Sequence, residues 1–454
     1  MASRFMKNER EISEVDDTTA KTSVPIDGIV EELTTNIAPK LLHVSPLPAS
    51  CCIFRVPLQI RQKNAQAYEP YVISIGPFHR GRGGDQFRLM ENVKRWYLQC
   101  LLSHAKETLP GLIKGVSDLD QRARDCYVEP LGLNKEDFVE MMVLDGCFLI
   151  ELFRKGPSHD LQDEKDPVYR MSGIRLYLYH DLLLLENQLP WFVLERLYNL
   201  TAVKNTTSEG NASSLADLVL KFFRKYVGDN CILNSSVNLR PEILHILGLI
   251  RTAIIATSKD DSTGEEMPRV PNVTTLSEAG IKFEVGSKCK EGPSGGILNM
   301  KFEKGKFTMP QLVIDERTGP LLRNLIAFEQ CYPSCPHMIT SYAVLMDNLI
   351  NSSKDIDLLC ERKILVNWLS SEDAAKFFNE LYNDTTVVGS YYGQLCYDVN
   401  EYYEKNWNKW MEKLKREHFN SPWAIISLVA AFILLALTVL QTYYTIHPYY
   451  YPPK

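Results

Sequence analysis

Hydrophobic and polar positions follow two different periods along the chain. Residues 86–103 and 134–153 repeat apolar side chains every three or four positions, which is the period of a helix with one buried face. Asn134 precedes the second repeat, and a short polar side chain there is a favoured helix N-cap. A third helical pattern covers residues 174–200 and contains Pro190, which predicts the end of one helix and the start of the next.

The period changes to two between residues 281 and 314. Apolar residues there alternate with polar ones, as at Ile281, Phe283 and Val285, and this alternation predicts a small antiparallel sheet. Helical patterns resume at Pro320, and Ser371 is the predicted N-cap of one of these helices. The predicted fold class is therefore mainly α with a small inserted antiparallel β-sheet (α+β), to which the C-terminus adds one more helix.

A long stretch without charge, residues 424–440, lies near the C-terminus. With its aromatic neighbours it spans about 33 Å as a helix, which matches the apolar core of a bilayer with aromatic residues at both interfaces. The pattern therefore predicts a transmembrane helix over residues 422–444. The predicted membrane-anchor residues are Trp423, Ala424, Leu440, Tyr443 and Tyr444.

The charges around this stretch predict its orientation. Lysine and arginine precede it between Lys405 and Arg416, whereas only Lys454 follows it, and no apolar signal peptide begins the chain. We therefore expect a single-pass, tail-anchored protein of the plasma membrane with a cytosolic N-terminal domain. The endoplasmic reticulum is the alternative location. Seven Asn-x-Ser/Thr sequons, from Asn199 to Asn383, favour the opposite topology, with the N-terminal domain outside.

These patterns divide the chain into four segments. The segments are a disordered polar N-terminus (1–44), a mostly helical globular domain (45–419), the transmembrane helix (422–444) and a short tail (445–454). A net charge of −6, without a basic stripe, argues against a nucleic-acid partner. The lipid bilayer and an unknown protein are the expected partners.

Cysteine spacing gives no support for a cofactor. The 11 cysteines are odd in number and widely spread, so reduced, structural thiols are expected. Only Cys331, Cys335 and His337 have a metal-like spacing, and no second pair completes the four ligands of a structural zinc site. No metal or cofactor is predicted.

A glycine-rich loop over residues 76–84 allows two interpretations. Its backbone N–H groups and arginines could hold an anion, or its glycines could supply the positive φ of a turn between a strand and a helix. The loop lacks the Gly-Lys-Ser/Thr ending of a phosphate-binding P-loop, which favours the turn. The candidate anion-loop residues are Gly76, His79, Arg80, Gly81 and Arg82.

Polar residues embedded in apolar segments raise the possibility of an enzyme. His79 or His180 could act as a base, with Asp145, Glu186 or Asp315 as its partner. Neither a serine nucleophile elbow nor His-Glu-x-x-His is present in the sequence. The structural interpretation is that such groups bond to backbone at helix ends. We therefore predict no catalytic residue and no enzymatic activity.

Long motifs in a fixed order resemble those of one family. They include YEPYVISIGPFHRG (68–81), MMVLDGCFLIELF (141–153), DLLLLENQLPWFVLERL (181–197) and PQLVIDERTGPLLRNLIAFEQC (310–331). Over residues 45–446 the chain resembles the plant "domain of unknown function 247" (UPF0481-type) family. The resemblance implies a plant-specific, membrane-associated protein without established enzymatic activity, and some members are linked to pollen–stigma recognition. It thus implies protein recognition or signalling. An uncatalogued enzyme and an anion- or lipid-binding module are the alternatives.

Overall fold

The computed structural model of the protein describes most of the chain. The described residues are 26–43, 45–81, 84–156, 165–202, 213–224, 243–256, 267–286, 296–333, 335–389, 391–405 and 422–450. The chain separates into two compact units, Met1–Pro48 and Ala49–Lys454. In the first unit, helix α1 (Ile26–Ile37) continues into a 3-10 turn (Ala38–Lys40). This helix lies in the stretch predicted to be disordered, while residues 1–25 lie outside the described residues. The predicted domain boundaries stay predictions.

The described part of the second unit is mainly helical, as predicted. Two 3-10 turns, Ala65–Tyr68 and Gly84–Phe87, lie near its start. Its helices are α2 (Leu58–Lys63), α3 (Arg88–His104), α4 (Leu109–Ser117), α5 (Asp120–Arg124), α6 (Lys135–Lys155), α7 (Pro167–Arg170), α8 (Ser172–Asp181), α9 (Trp191–Leu200), α10 (Leu215–Phe222), α11 (Ile246–Ala256), α12 (Val273–Glu278), α13 (Thr318–Cys331), α14 (Met338–Leu349), α15 (Ser353–Glu361), α16 (Ser371–Asn379), α17 (Gly393–Glu404) and α18 (Pro422–Tyr450).

Helix α6 lies at the centre of the core. Its predicted cap is confirmed, because the Asn134 side chain accepts a hydrogen bond from the Asp137 backbone N–H at 2.7 Å. The helix packs against α3, α4 and α9 and is buried over most of its 21 residues. At Gly146 a Cβ atom would lie 2.4 Å from the Leu197 side chain, so the glycine allows α9 to approach closely.

The strands form two small sheets, and the prediction of one antiparallel sheet is only partly right. In the first sheet β3 (Lys306–Met309) lies between β1 (Lys282–Val285) and β2 (Lys301–Glu303). β3 is antiparallel to β2 but parallel to β1. Alternation predicts that a segment is a strand but carries no information about the direction of its partner.

The second sheet joins strands that are distant in sequence. β4 (Leu312–Ile314) pairs in parallel with β5 (Leu365–Asn367). Parallel strands need a long crossover connection, and here helices α13, α14 and α15 supply it. The sequence pattern placed β4 in the predicted sheet but gave no sign of its distant partner.

Two predicted helix ends need correction. Helix α8 ends at Asp181, well before Pro190, because the Gln188 side chain bonds to the carbonyls of Leu182 and Leu184 at 2.9 and 2.8 Å and so stabilises a buried non-helical segment. The predicted cap Ser371 is the first residue of α16. The N-cap is Ser370, whose hydroxyl accepts a hydrogen bond from the Asp373 backbone N–H at 3.0 Å.

The prediction of a C-terminal transmembrane helix is corrected. Residues 422–450 form helix α18, in which Leu440 and Tyr443 are exposed. Within the part of the chain that the structure describes, no helix combines the length and the apolar character that a membrane span requires.

The predictions that depended on this helix are corrected with it. A membrane-anchor role of Trp423, Ala424, Leu440, Tyr443 and Tyr444 is not supported, and neither is the single-pass, tail-anchored topology in the plasma membrane or the endoplasmic reticulum. The observed fold class is mainly helical with two small sheets.

Candidate functional site

An irregular segment, residues 71–76, leads into the glycine-rich loop. It has no partner strand among the described elements, so its backbone donors must be satisfied in another way. The carboxylate of Asp181 accepts three of them, from Tyr71, Val72 and Ile73, at 2.8, 2.7 and 2.9 Å. Buried Asp181 thus holds three consecutive N–H groups where the chain bends.

The end of the same segment is held by two further buried side chains. Asn187 accepts from the backbone N–H of Ile75 at 2.6 Å. The Gly76 N–H donates to the Asp145 carboxylate at 2.8 Å. The segment and the start of the loop are therefore fixed by residues that come much later in the chain.

The loop after this segment has the geometry of a turn. Gly76 has a φ of 72°, and a Cβ atom there would lie 2.7 Å from the Gln188 carbonyl oxygen, so only glycine fits. Gly81 also has a positive φ, of 77°, and the chain then enters a 3-10 turn and α3. The candidate residue Arg82 lies outside the described residues.

A cavity of about 560 Å³ opens between this loop and the N-terminal half of α3. Its floor and walls combine backbone of the glycine loop with mostly polar and charged side chains. The lining residues are Ser74, Gly76, Arg80, Gly81, Gly84, Phe87, Arg88, Glu91, Asn92, Lys94, Arg95 and Asp145. Three of the five candidate anion-loop residues, Gly76, Arg80 and Gly81, are thus brought to one cavity.

A buried lysine occupies the floor of the cavity. The Lys94 ammonium donates to the Ser74 carbonyl oxygen at 2.5 Å and to Glu91 at 2.6 Å, and it pairs with Asp145 at 2.7 Å. Burial raises the pKa of Asp145 above its ordinary value, although the attraction of Lys94 opposes the shift. With two hydrogen bonds and one ion pair, Lys94 braces the floor.

Two polar groups at the cavity remain available. The Arg80 guanidinium is half-buried and makes no hydrogen bond or ion pair with any described residue. The Ser74 side chain is only 4% exposed, yet its hydroxyl has no hydrogen-bond partner in the described part of the chain. A buried polar group without a partner is costly, and a ligand atom in the cavity could satisfy it.

His79 and Glu186 meet each other but do not line this cavity. Their side chains approach to 3.4 Å, between Nε2 and Oε2. Glu186 is also bound by Arg55 at 3.3 Å, by Arg61, and by the Val56 backbone N–H at 2.7 Å. So many donors around one buried carboxylate indicate a structural role. Glu186 joins residues 55–61 to the segment that precedes α9.

The other proposed acid and base residues lie in separate surroundings. His180 contacts Asp181 at 2.9 Å, the carboxylate that holds residues 71–73. Asp315 accepts from the Arg317 side chain and backbone at the start of α13. Burial opposes its ionisation, but the hydrogen bonds from Arg317 lower the pKa of Asp315 overall. Of the proposed catalytic residues, Asp145 alone is among the described lining of the cavity.

The metal-like cysteine spacing is not matched by a metal-like geometry. Burial raises the pKa of Cys331 to about 12 and that of Cys335 to about 11, which disfavours the thiolate that binds metal. Among the residues that the structure describes, no three His, Cys, Asp or Glu side chains are placed to hold a metal ion.

Sequence reasoning missed the two residues at the floor, Ser74 and Lys94. A signal for Lys94 was present, because it lies four residues after Met90 and three before Tyr97, on the apolar face of the helix. A lysine on a buried face needs a partner. For Ser74 the sequence held no comparable signal.

The fold and the cavity define a mainly helical protein with a cationic pocket beside a glycine loop. Residues 53–437 match the family "domain of unknown function 247", described as plant protein of unknown function. The chain therefore belongs to this plant family, as the motif resemblance implied.

Two relatives from Arabidopsis thaliana are similar to the chain over most of its length. A UPF0481 protein is 31% identical over 434 residues, covering 89% of this chain and 88% of the relative. A second UPF0481 protein is 24% identical over 486 residues, covering 86% of this chain and 89% of the relative. No solved structure matches the chain.

Proposed function

We propose that the loop cavity is the binding site of a small anionic ligand. The observation that carries the proposal is the half-buried Arg80 guanidinium, which faces the cavity without a partner among the described residues. A guanidinium retains its charge at all physiological pH values and presents donors in a fork that matches carboxylate or phosphate. The candidate anion loop thus contributes Arg80 and the backbone of Gly81, whereas the Gly76 N–H already donates to Asp145.

The electrostatic surroundings support an anion further. Lysine and arginine outnumber carboxylates in the cavity lining. The cavity also lies at the N-terminus of α3, where no side chain caps the helix. The partial positive charge of a helix N-terminus attracts anions, and here it adds to the arginine charge.

Thermal unfolding of the full chain tests the proposal. Added sodium citrate or sodium phosphate should raise the midpoint at constant ionic strength, since a ligand that binds only the folded state stabilises it by about 2.7 kcal/mol at 100 times its Kd. Arg80→Gln should abolish the increase. The matched control is Arg362→Gln, an exposed arginine that forms no ion pair with the described residues, and this variant should keep the increase.

Two outcomes would contradict the proposal. One is an equal increase in wild type and Arg80→Gln, which would place the anion elsewhere. The other is no increase with either anion. Protein recognition, predicted from the family resemblance, stays a prediction, as does the absence of enzymatic activity.

A further inference from the structure

The charges of the cavity restrict what kind of anion it accepts. Among the described lining residues, four cationic side chains face two carboxylates, an excess of two positive charges, although Arg88 also pairs with Asp85 outside the lining at 3.6 Å. These charged lining residues are Arg80, Arg88, Lys94 and Arg95, opposed by Glu91 and Asp145. A ligand with two negative charges would balance this lining, whereas a singly charged one would leave it cationic.

The arginines must supply the contacts to such a ligand. Lys94 already donates hydrogen bonds to Ser74 and Glu91 and pairs with the charge of Asp145. Arg80 is the half-buried cation of the lining that has no partner in the described chain. Because a guanidinium donates two parallel hydrogen bonds, it pairs best with an anion that presents two oxygens side by side.

The Ser74 hydroxyl adds a second, independent indication. Ser74 is buried, as Lys94 is, and its hydroxyl has no hydrogen-bond partner within the described residues. A tetrahedral oxyanion has a third oxygen that can reach such a hydroxyl while Arg80 binds the other two. A carboxylate has only two oxygens, so one of them would have to accept from both Arg80 and the hydroxyl.

The size of the cavity argues for an organic group beside the anion. At about 560 Å³ it falls in the range of sites for small organic ligands and exceeds what a single inorganic ion fills. Phe87, which is buried, supplies an apolar wall. A ligand with a charged end and an apolar body would use both features.

Taking the proposed anion site as its basis, we infer that the cavity selects a small organic phosphate monoester in its dianionic form. The phosphate binds Arg80 and the Ser74 hydroxyl, and the organic group packs against Phe87. A phosphate monoester carries a charge of about −1.5 to −2 at pH 7. A sulfate monoester of the same shape carries a single charge, so it is the natural comparison.

Calorimetric titration of the full chain with phenyl phosphate and phenyl sulfate tests the charge requirement. Phenyl phosphate should bind at least tenfold more tightly than phenyl sulfate, and more tightly than inorganic phosphate. Arg80→Gln should weaken phenyl phosphate binding at least tenfold and remove most of its advantage over the sulfate. Arg362→Gln should change neither affinity.

Ser74→Ala separates ligand binding from folding. The substitution removes a hydroxyl that has no partner, so the free energy of unfolding should be unchanged or slightly higher, while phenyl phosphate binding weakens severalfold. A variant that unfolds more easily but binds phenyl phosphate normally would overturn the role of Ser74.

The remaining outcomes distinguish this inference from the function on which it rests. Equal affinity for the phosphate and the sulfate, both dependent on Arg80, would leave the anion site in place and overturn the selection of a dianion. Equal affinity for inorganic phosphate and phenyl phosphate would overturn the inference that the ligand has an organic group. Absence of binding by every anion, with no thermal stabilisation, would overturn both proposals.

Discussion

Two buried carboxylates, Glu329 and Asp145, have very different surroundings. Glu329 accepts two hydrogen bonds from the Arg251 side chain, at 3.0 and 2.8 Å. At the start of α14, the backbone N–H groups of Ile339 and Thr340 donate to the same carboxylate at 3.0 and 2.8 Å, and the Thr340 hydroxyl donates at 2.7 Å. Every lone pair of Glu329 is occupied, and its hydrogen bonds join helices α11, α13 and α14.

Asp145 is equally buried but lies beside open space. It pairs with Lys94 and accepts from the Gly76 backbone, and it lines the loop cavity with the unsatisfied Ser74 hydroxyl. The comparison teaches that burial of a charge alone says little about function. A cavity and an unsatisfied polar group next to that charge are what distinguish a binding site from a structural junction.

The largest effect is expected for Glu329→Gln. The change leaves the buried Arg251 guanidinium without its counter-charge, and breaking a buried pair in this way costs about 3–5 kcal/mol. Urea denaturation should show this loss in the free energy of unfolding. The control is Glu140→Gln on the exposed face of α6, which should stay within about 0.5 kcal/mol of wild type. Similar losses in both variants would contradict the structural role of Glu329.

The histidine packed beside the Glu329 junction should make stability depend on pH. His245 Nδ1 accepts from the Gly248 N–H at 3.1 Å, and Nε2 contacts the Cys52 carbonyl oxygen at 3.1 Å. Burial lowers the pKa of His245 from 6.5 to about 4, although the hydrogen bond to Cys52 opposes the shift. Below pH 6.5 the unfolded chain therefore binds a proton that the folded protein excludes.

The expected loss follows from that difference in pKa. Stability should fall by roughly 3 kcal/mol as the pH falls from 6.5 to about 4, since each pKa unit is worth about 1.4 kcal/mol. Unfolding by urea at a series of pH values would measure it. His245→Gln should flatten the dependence over this window by the same amount. An unchanged slope in the variant would show that other groups control acid unfolding.

A smaller loss is expected for Asp145→Asn, in contrast to Glu329→Gln. Lys94 keeps its contacts with Glu91 and the Ser74 carbonyl, so no buried cation is left alone. We expect a loss of about 1–3 kcal/mol in the free energy of unfolding, the range for one charged hydrogen bond. A loss of unfolding free energy as large as that of Glu329→Gln would contradict this difference. It would mean that Asp145 is as important for the fold as Glu329.

The smallest loss of stability is expected for Gly81, and it is compared with that for Gly76 at the other end of the glycine loop. Gly81→Ala should cost about 1–2 kcal/mol, because its φ of 77° disfavours a Cβ atom but nothing lies within 4 Å of that atom. Gly76→Ala has the same backbone penalty and a contact at 2.7 Å with the Gln188 oxygen, so it should be clearly less stable. Equal melting temperatures for the two variants would contradict the close packing at Gly76.

The sequence predicted well what depends on neighbouring residues. The helical period and the Asn134 cap located α6, and the loss of period at the glycines located the loop. The Ser370 cap of α16 was missed, although Asp373, three residues later, marks the favoured capping spacing. Local signals of this kind are present in the chain even when they are overlooked.

What the sequence could not predict depends on distant contacts. The parallel pairing of β4 with β5 joins residues separated by three helices. The candidate site likewise depends on Asp145 and Lys94 meeting at the interface of α3 and α6. The hydrophobic period predicts that a residue lies on the buried face of its helix. It does not predict which other element packs against that face.

The irregular segment at residues 71–76 has a consequence for synthesis of the chain on the ribosome. Its hydrogen bonds to Asp181 and Asn187 span 108 to 112 residues of sequence. At about 5–20 residues per second, the segment waits roughly 5–20 seconds before its acceptors are made. Throughout that interval this mostly apolar segment lacks the side chains that accept its backbone hydrogen bonds in the folded protein. We therefore expect nascent chains that end before Asp181 to bind chaperones more strongly than chains that extend through α9.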